Sequence, residues 1–454
     1  MFYNTPLLYT ADATAYYRAI DDLPWAVWLD SGGMGRYDIL CAQPVTTIIT
    51  HGDESEITNP SGTLHTDADP FQLVRQQLGA PVPPLPGIPF AGGALGYWSY
   101  DLARRDVELP AHAQDAEHLP QMAVGIYDWA IVLDHHTQTA RLVSHQRTPA
   151  TAHILPQILD RLYAIALPTR TDFAVHGAIR SNFTRNTYEA AFNKVQNYLL
   201  QGDCYQTNLA QRFAARATGD ALSAYLELRR LSPAPYAAYL SLPHAQILCA
   251  SPECFLQVRA GQVETKPIKG TRPRGKDAQS DAAIAQELQR SAKDRAENLM
   301  IVDLLRNDLG KSCIPGSVQA PKLFEVESFA QVHHLVSTVT GQLAPGQNAL
   351  SLLANCFPGG SVTGAPKRRA MQIIEQLEPH RRGVYCGSIG YVGFDGNMDS
   401  NIAIRTLVYS GEEIRFWAGG GIVADSEVQA EYQETLDKAA GMLALLQRFG
   451  GTLA

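Results

Sequence analysis

Residues 1 to about 165 read as short apolar runs of strand character broken by turns, and helical periodicity enters only later. Ala26-Val-Trp-Leu29 and Val45-Thr-Thr-Ile-Ile-Thr50 are β-branched and aromatic, the composition of strands. The stretch Val124-Gly-Ile-Tyr-Asp-Trp-Ala-Ile-Val-Leu-Asp134 reads as one more. Pro81 to Pro89 is a loop, because its prolines cannot donate to a central ladder. A seam rich in Thr, Arg, Gly and Ser follows at about 166–182, dividing an N-terminal region, 1–165, from a second region, 183–447. From Thr184, Tyr188, Ala191, Phe192, Val195 and Leu199 share a helical face that Gly202 stops. Cys204 to Phe213 reads as a strand with Gln206, Asn208 and Arg212 on one face. Ser291 is placed to cap a helix to Leu309 that Gly310 terminates. Shorter helical patterns cover Met371–Leu377 and about Ser426–Gln447. Strands and helices that alternate with no fixed period predict an α+β fold with mostly antiparallel sheets.

Composition narrows the partners. Of 454 residues, 45% are hydrophobic and 18% charged, an ordinary globular balance. The formal charge of −8 comes with no block of Lys or Arg, so neither nucleic acid nor an anionic membrane surface is expected. An anionic ligand would need local compensating charge. Seven cysteines, never spaced as CxxC, suit neither a disulfide framework nor a zinc site. The N-terminus lacks a basic segment followed by an apolar one, and no apolar run reaches the roughly 20 residues of a membrane span. A reduced, cytoplasmic location is expected.

Four features carry candidate chemistry. Lys269 lies in Glu264-Thr-Lys-Pro-Ile-Lys-Gly-Thr-Arg-Pro-Arg274, where Pro267 restricts the residue before it and Gly270 lets the chain turn directly after the lysine. Such a lysine can serve as a nucleophile if a carboxylate, here that of Ser251-Pro-Glu253, is delivered opposite; a surface lysine is the bland alternative. Two helical patterns pair carboxylates, Asp294 with Glu297 and Glu431 with Glu434, the second followed by Lys438. Oxygen ligands from two helices suit magnesium, although solvated helix faces share that spacing. The runs Pro358-Gly-Gly-Ser-Val-Thr-Gly-Ala-Pro-Lys367 and Ala418-Gly-Gly-Gly-Ile-Val-Ala-Asp-Ser426 fail the tests for a phosphate loop and a dinucleotide fingerprint. They can still aim backbone N–H groups at a carboxylate, or be plain turns. Arg405, inside Asn401-Ile-Ala-Ile-Arg-Thr-Leu407, is placed in an apolar strand and needs an anionic partner if buried.

In this order, the segments resemble the chorismate-utilising enzymes. The matching stretches are Gly202-Asp-Cys-Tyr-Gln-Thr-Asn-Leu-Ala-Gln-Arg212, Ser251-Pro-Glu253, Pro267-Ile-Lys-Gly-Thr271, Asp294-Arg-Ala-Glu-Asn-Leu-Met-Ile-Val-Asp-Leu304, Phe357 to Lys367, Ala418 to Val423 and Glu431-Tyr-Gln-Glu-Thr435. Gly92-Gly-Ala-Leu-Gly-Tyr97 and Met122 to Ala130 extend the likeness over nearly the whole chain. The resemblance implies a large, mostly antiparallel β-sandwich with helices outside and two interleaved subdomains.

The same resemblance implies roles for single residues. Water-adding members carry a lysine where this chain has Gln206, and anthranilate-forming members an alanine where it has Lys269. The likeness therefore points to the branch that aminates C4 of chorismate, with Lys269 attacking C2 and Glu253 as general acid. Anthranilate formation and a non-catalytic relative that senses chorismate or tryptophan are the rival readings. Glu297 and Glu434 would hold Mg2+, with Glu431 beside them or acting through water. Gln206, Ser361, Thr363, Gly364, Tyr385, Arg405, Gly419, Gly420, Gly421 and Lys438 would bind the substrate dianion. No Gly-x-Cys-x-Gly nucleophile is present, so ammonia is expected from a separate glutamine amidotransferase subunit in a heterodimer. Ser31, Met34, Arg36, Tyr37, Pro235 and Tyr236 match a tryptophan pocket of the family, with Met34 where a tyrosine is usual.

Overall fold

A computed structural model describes residues 2–164, 171–329 and 332–453. Two large sheets, of 13 and 12 strands, stand face to face, and among the described residues every pairing of strands but one is antiparallel. The exception joins Ala174–Ser181 to Thr452–Leu453. Both sheets draw strands from both ends of the chain. In the first, Ala26–Asp30 pairs with Tyr236–Leu242. In the second, Gly93–Trp98 pairs with Ser388–Gly393.

The period of two along each strand sorts side chains into layers. Val27, Ile39, Cys41, Val132, Leu240 and Ile247 meet Leu95, Tyr97, Ile389 and Tyr391 between the sheets. Their neighbours Trp28, Leu40, Ile131, Leu133, Tyr239 and Leu248 point outward instead, against Tyr17, Tyr225, Met442 and Leu445 of the covering helices. The outer face of the second sheet is covered by Phe71, Val74, Val302, Leu309, Leu350 and Leu353. Burial on both faces explains why the first four residues of Ala130–Asp134 are all apolar rather than alternating.

Several expected boundaries move. The run 124–134 is two strands, Met122–Tyr127 in the second sheet and Ala130–Asp134 in the first. Asp128 turns the chain between them: its carboxylate accepts the amides of Arg147 and Thr148 at 3.0 and 2.8 Å and the Thr151 hydroxyl at 2.7 Å. The first residues of the expected seam, 166–170, lie outside the described residues, and its second half is the strand Ala174–Ser181, paired with Gln206–Thr218. The first helix of the second region is Arg185–Leu200, with Thr184 and Thr187 forming a capping box. Ser291 caps Ala292–Gly310, but Gly310 is the last helical residue and Lys311 the C-cap. Lys367–Leu377 starts a turn earlier than expected, and the final helix is Val428–Arg448. All seven cysteines are free and buried. Among the described residues no helix is long and apolar enough to cross a membrane.

Candidate active site

Lys269 lies in the strand Ile268–Pro273, at a break in its register against Val332–Gln342. The break is a β-bulge rather than the rigid turn expected, with Gly270 at φ +84°. Glycine is required there twice over, since a Cβ would come within 2.9 Å of Leu288 and 3.0 Å of Asp294. The bulge re-aims the lysine into the interior. Its ammonium lies deep, and burial, followed by the positive charge of Lys438, holds it below the ordinary lysine range against Glu297, Glu253 and Glu434.

Glu253 stands just beyond the strand Ala245–Ser251. Ser251 Oγ donates to the Ile402 carbonyl at 2.6 Å and accepts the Glu253 amide at 3.2 Å, and the Glu253 carbonyl accepts the Ile402 amide at 3.1 Å. The carboxylate is buried and accepts the Ser361 hydroxyl at 2.8 Å. Burial raises it above the usual carboxylate range, opposed by Ser361, Lys269 and Lys438. The acid is raised and the amine lowered, which brings their proton affinities closer together than in water.

The acidic helices converge only in part. Asp294 is held by Arg272 at 2.9 Å. Glu297 is raised by burial, with Lys269 opposing. For Glu434, burial acts upward but the Lys438 ion pair at 2.6 Å prevails and holds the carboxyl low. Glu431 is raised by burial; one oxygen accepts Ser426 Oγ at 2.6 Å, and the other, Oε2, is buried with no hydrogen-bond partner. A Cβ at Gly420 would lie 3.1 Å from that Oε2 and 3.2 Å from Glu434 Oε1, so both carboxyl groups rest against bare backbone. Among the described residues no three His, Cys, Asp or Glu cluster closely enough to cage a metal by themselves. Two carboxylates and an orphaned oxygen fit magnesium, which leaves its remaining positions to water and substrate.

Both glycine runs are strand and turn. Gly419, Gly420 and Gly421 lie in Glu413–Ile422, paired with Ala210, Leu209 and Asn208. Lys438 donates to the Gly419 carbonyl at 3.0 Å. The Gln206 amide packs over Gly421, where a Cβ would come within 2.6 Å of Nε2, and this buried NH2 has no partner. In the other run only Ser361 offers its side chain to the site. The Thr363 hydroxyl is used within its own turn, donating to Gly359 at 3.0 Å, and Gly364, at φ +146°, lies against the Gln206 backbone. Tyr385 is buried, stacked on Trp417 with centroids 6.1 Å apart.

Arg405 is not inside a strand. It occupies the irregular link between Met398–Asn401 and Thr406–Ser410, at φ +49°. Burial lowers its guanidinium, and no described residue pairs with it. It borders a cavity of about 70 Å³ with Pro252, Phe329, Met34 and His334. Sequence reasoning missed His334, which accepts from or donates to Thr271 Oγ1 at 2.8 Å and is pushed down to about 4 by burial, then by Arg405. Thr271 shares the Lys269 strand. The available signal was the His333-His334 pair opening a β-branched run.

A larger cavity of about 440 Å³ adjoins this one across Met34, Pro235, Pro252 and Phe329. Ser31, Arg36, Tyr37 and Tyr236 also line it. Ser31 Oγ and Asp399 Oδ1 are buried there without partners, whereas Arg36 is bound to Asp134 at 2.8 Å. Pro252 and Ile268, the neighbours of Glu253 and Lys269, form part of its wall.

A sandwich of this topology, with a buried acid, a buried amine and carboxylates from two helices, defines a class: the chain belongs to the chorismate binding enzyme family, which matches residues 25–444. It is 48% identical over 444 residues to aminodeoxychorismate synthase component 1 of Klebsiella aerogenes, covering 96% of this chain and 97% of that one. The same component of Escherichia coli K12 is 47% identical over 450 residues, 97% and 98% of the two chains. Anthranilate synthase component I of Streptococcus pneumoniae superposes with a TM-score of 0.80 at 33% identity, covering 90% and 92%.

Proposed function

We propose that this chain aminates chorismate at C4 to 4-amino-4-deoxychorismate, on the route to p-aminobenzoate and folate. The observation that carries the reading is the Glu253–Lys269 pair, the carboxyl raised and the amine lowered within electrostatic reach of each other. At an ordinary pKa of about 10.4, roughly one lysine in 2,500 is neutral at pH 7. The lowered value enlarges that fraction. Neutral Lys269 adds to C2, the two ring double bonds shift, and the C4 hydroxyl leaves as water with the proton of Glu253. Ammonia then adds at C4 and returns its extra proton to Glu253, the double bonds shift back, and the C2–N bond breaks to release Lys269 as the neutral amine. Chorismate and ammonia have become aminodeoxychorismate and water. Gln206 cannot deprotonate water, which disfavours the competing hydroxylation.

Arg405, free of any described carboxylate, and Lys438 would hold the substrate carboxylates. Glu297 and Glu434, with the open oxygen of Glu431, would hold Mg2+, which when bound neutralises a substrate carboxylate. Ammonia would come from a separate glutamine amidotransferase subunit in the cytoplasm, the seven cysteines here being buried. The cavity beside Ser31 would take tryptophan, its polar end against the unpartnered Ser31 and Asp399 oxygens.

The test is intact-protein mass after mixing with chorismate and Mg2+ without ammonia, quenched in acid. The expected result is an adduct of chorismate minus water on the native chain and none on Lys269→Ala. Product formed from ammonia with no adduct at any time would make attack direct and leave Lys269 a positioning role. Fluorescent anthranilate as product would move the chain to the neighbouring branch.

A further inference from the structure

The run from Pro358 ends on Lys367, a lysine to which the proposed reaction assigns no task. It is the first residue of the helix Lys367–Leu377, where the helix dipole disfavours a cation. Its ammonium is nonetheless mostly buried, 2.7 Å from Oδ2 of Asp308. Asp308 is equally misplaced: it sits in the last turn of Ala292–Gly310, where the dipole disfavours an anion, and its side chain is 2% exposed. Each charge opposes its own helix and is stabilised by the other. Lys311 covers the second oxygen at 2.9 Å.

A further bond shows what the pair fastens. Lys367 Nζ also donates to the Cys356 carbonyl at 2.6 Å. Cys356 ends the helix Ala349–Cys356, so the ammonium ties together the two sides of the 357–366 loop. Asp308 anchors that neck to the helix that carries Glu297. The loop also seats on this helix at Gly360, where a Cβ would come within 2.5 Å of Leu304. Midway along the loop, Ser361 reaches Glu253 at 2.8 Å.

We infer that Lys367, through Asp308 and the Cys356 carbonyl, is a positioning residue that holds the 357–366 loop so that the Ser361 hydroxyl meets the Glu253 carboxyl. The inference rests on Glu253 being the acid of the proposed reaction. The two charges, set against their own helix dipoles, serve a geometry that helix stability alone does not call for.

The experiment is the pH dependence of kcat/KM with chorismate, Mg2+ and ammonium for the full chain. Ser361→Ala removes a donor that favours the charged carboxylate, so Glu253 rises and the limb it controls moves to higher pH. Lys367→Met is expected to move the same limb in the same direction, with about a tenfold to hundredfold loss of kcat. Added to Ser361→Ala, it should move that limb no further. Because Lys367→Met leaves the buried Asp308 to the half-exposed Lys311 alone, the pair Asp308→Asn with Lys367→Met repeats the test with the buried carboxylate removed. A fall in rate with the limb unmoved in both variants overturns the inference, as do shifts that add in the combined variant. A Glu253→Gln enzyme that keeps both limbs removes the acid reading itself and this inference with it. A limb lost in Glu253→Gln but unmoved in the Lys367 variants overturns the positioning role alone.

Discussion

The two adjoining cavities differ in how their walls handle charge. Around the larger, about 440 Å³, the charged groups have found each other: Arg36 with Asp134, Arg259 with Asp399, and Lys266 near Glu264 and Glu327. Around the smaller, about 70 Å³, Arg405 has no described anionic partner; Glu253 and the part-buried Lys269, both with shifted titration, line neither cavity but directly follow Pro252 and Ile268 of their walls. Volume marks where a ligand can rest. Uncompensated buried charge marks where bonds can change, because leaving it so costs stability that binding and catalysis must offset.

The largest break in that contrast is Glu253→Gln, which keeps the size of the side chain and removes its proton. A kcat loss of about 10²- to 10⁴-fold is expected with ammonium as nitrogen source. A loss below tenfold would mean that another group protonates the leaving hydroxyl. Next, Glu431→Gln removes the charge behind the orphaned oxygen while leaving Glu297 and Glu434. Titration calorimetry should show Mg2+ binding weakened about 10- to 100-fold; unchanged affinity would exclude Glu431 from the ion's surroundings.

The larger cavity should respond to occupancy instead. Tryptophan at 100 times its Kd is expected to stabilise the fold by about 2.7 kcal/mol, read as a rise in Tm. Ser31→Ala should leave the Tm of the free protein unchanged, because its hydroxyl has no partner to lose, and should reduce the rise. No rise in the native chain would leave the cavity to another ligand. The smallest effect concerns Asp134. Burial raises its carboxyl, but Arg36 and the amides of Thr137 and His136 outweigh this and hold it near about 2. A depressed carboxylate adds stability above its unfolded pKa of about 3.9 and loses it as pH falls through about 2. Asp134→Asn should therefore cost stability at pH 7 and flatten the acid limb of the native melting curve across that window. An unflattened limb would mean that Asp134 titrates alike in both states.

The site was partly legible because its chemistry clusters in short runs. Ser251-Pro-Glu253, Lys269-Gly270 and Glu431 to Lys438 each carry their residues within a turn or two, so spacing and resemblance could single them out. Thr271 and His334 were not legible in this way. They meet across two strands that lie more than sixty positions apart in the chain, and neither residue type is distinctive in a β-rich run. Arg405 was visible as a misfit but misplaced, because local composition does not reveal that the strand breaks at φ +49°. The split of 124–134 had one signal, Asp128, whose three hydrogen-bond donors come from residues 147–151.

By itself, then, the sequence determined the local and the additive: which stretches cap and coil, which faces are apolar, that the cysteine spacing suits neither a zinc site nor a disulfide framework, and which runs could carry an acid, an amine and paired carboxylates. Only the tertiary structure decided what depends on distance between remote segments. It gave Asp294 to Arg272, and it withdrew Thr363 into its own turn. It also set Lys367 against Asp308 in the interior. Hydrogen bonds and charges act over a few ångströms, and which groups come that close is set by how the two sheets pair strands from opposite ends of the chain.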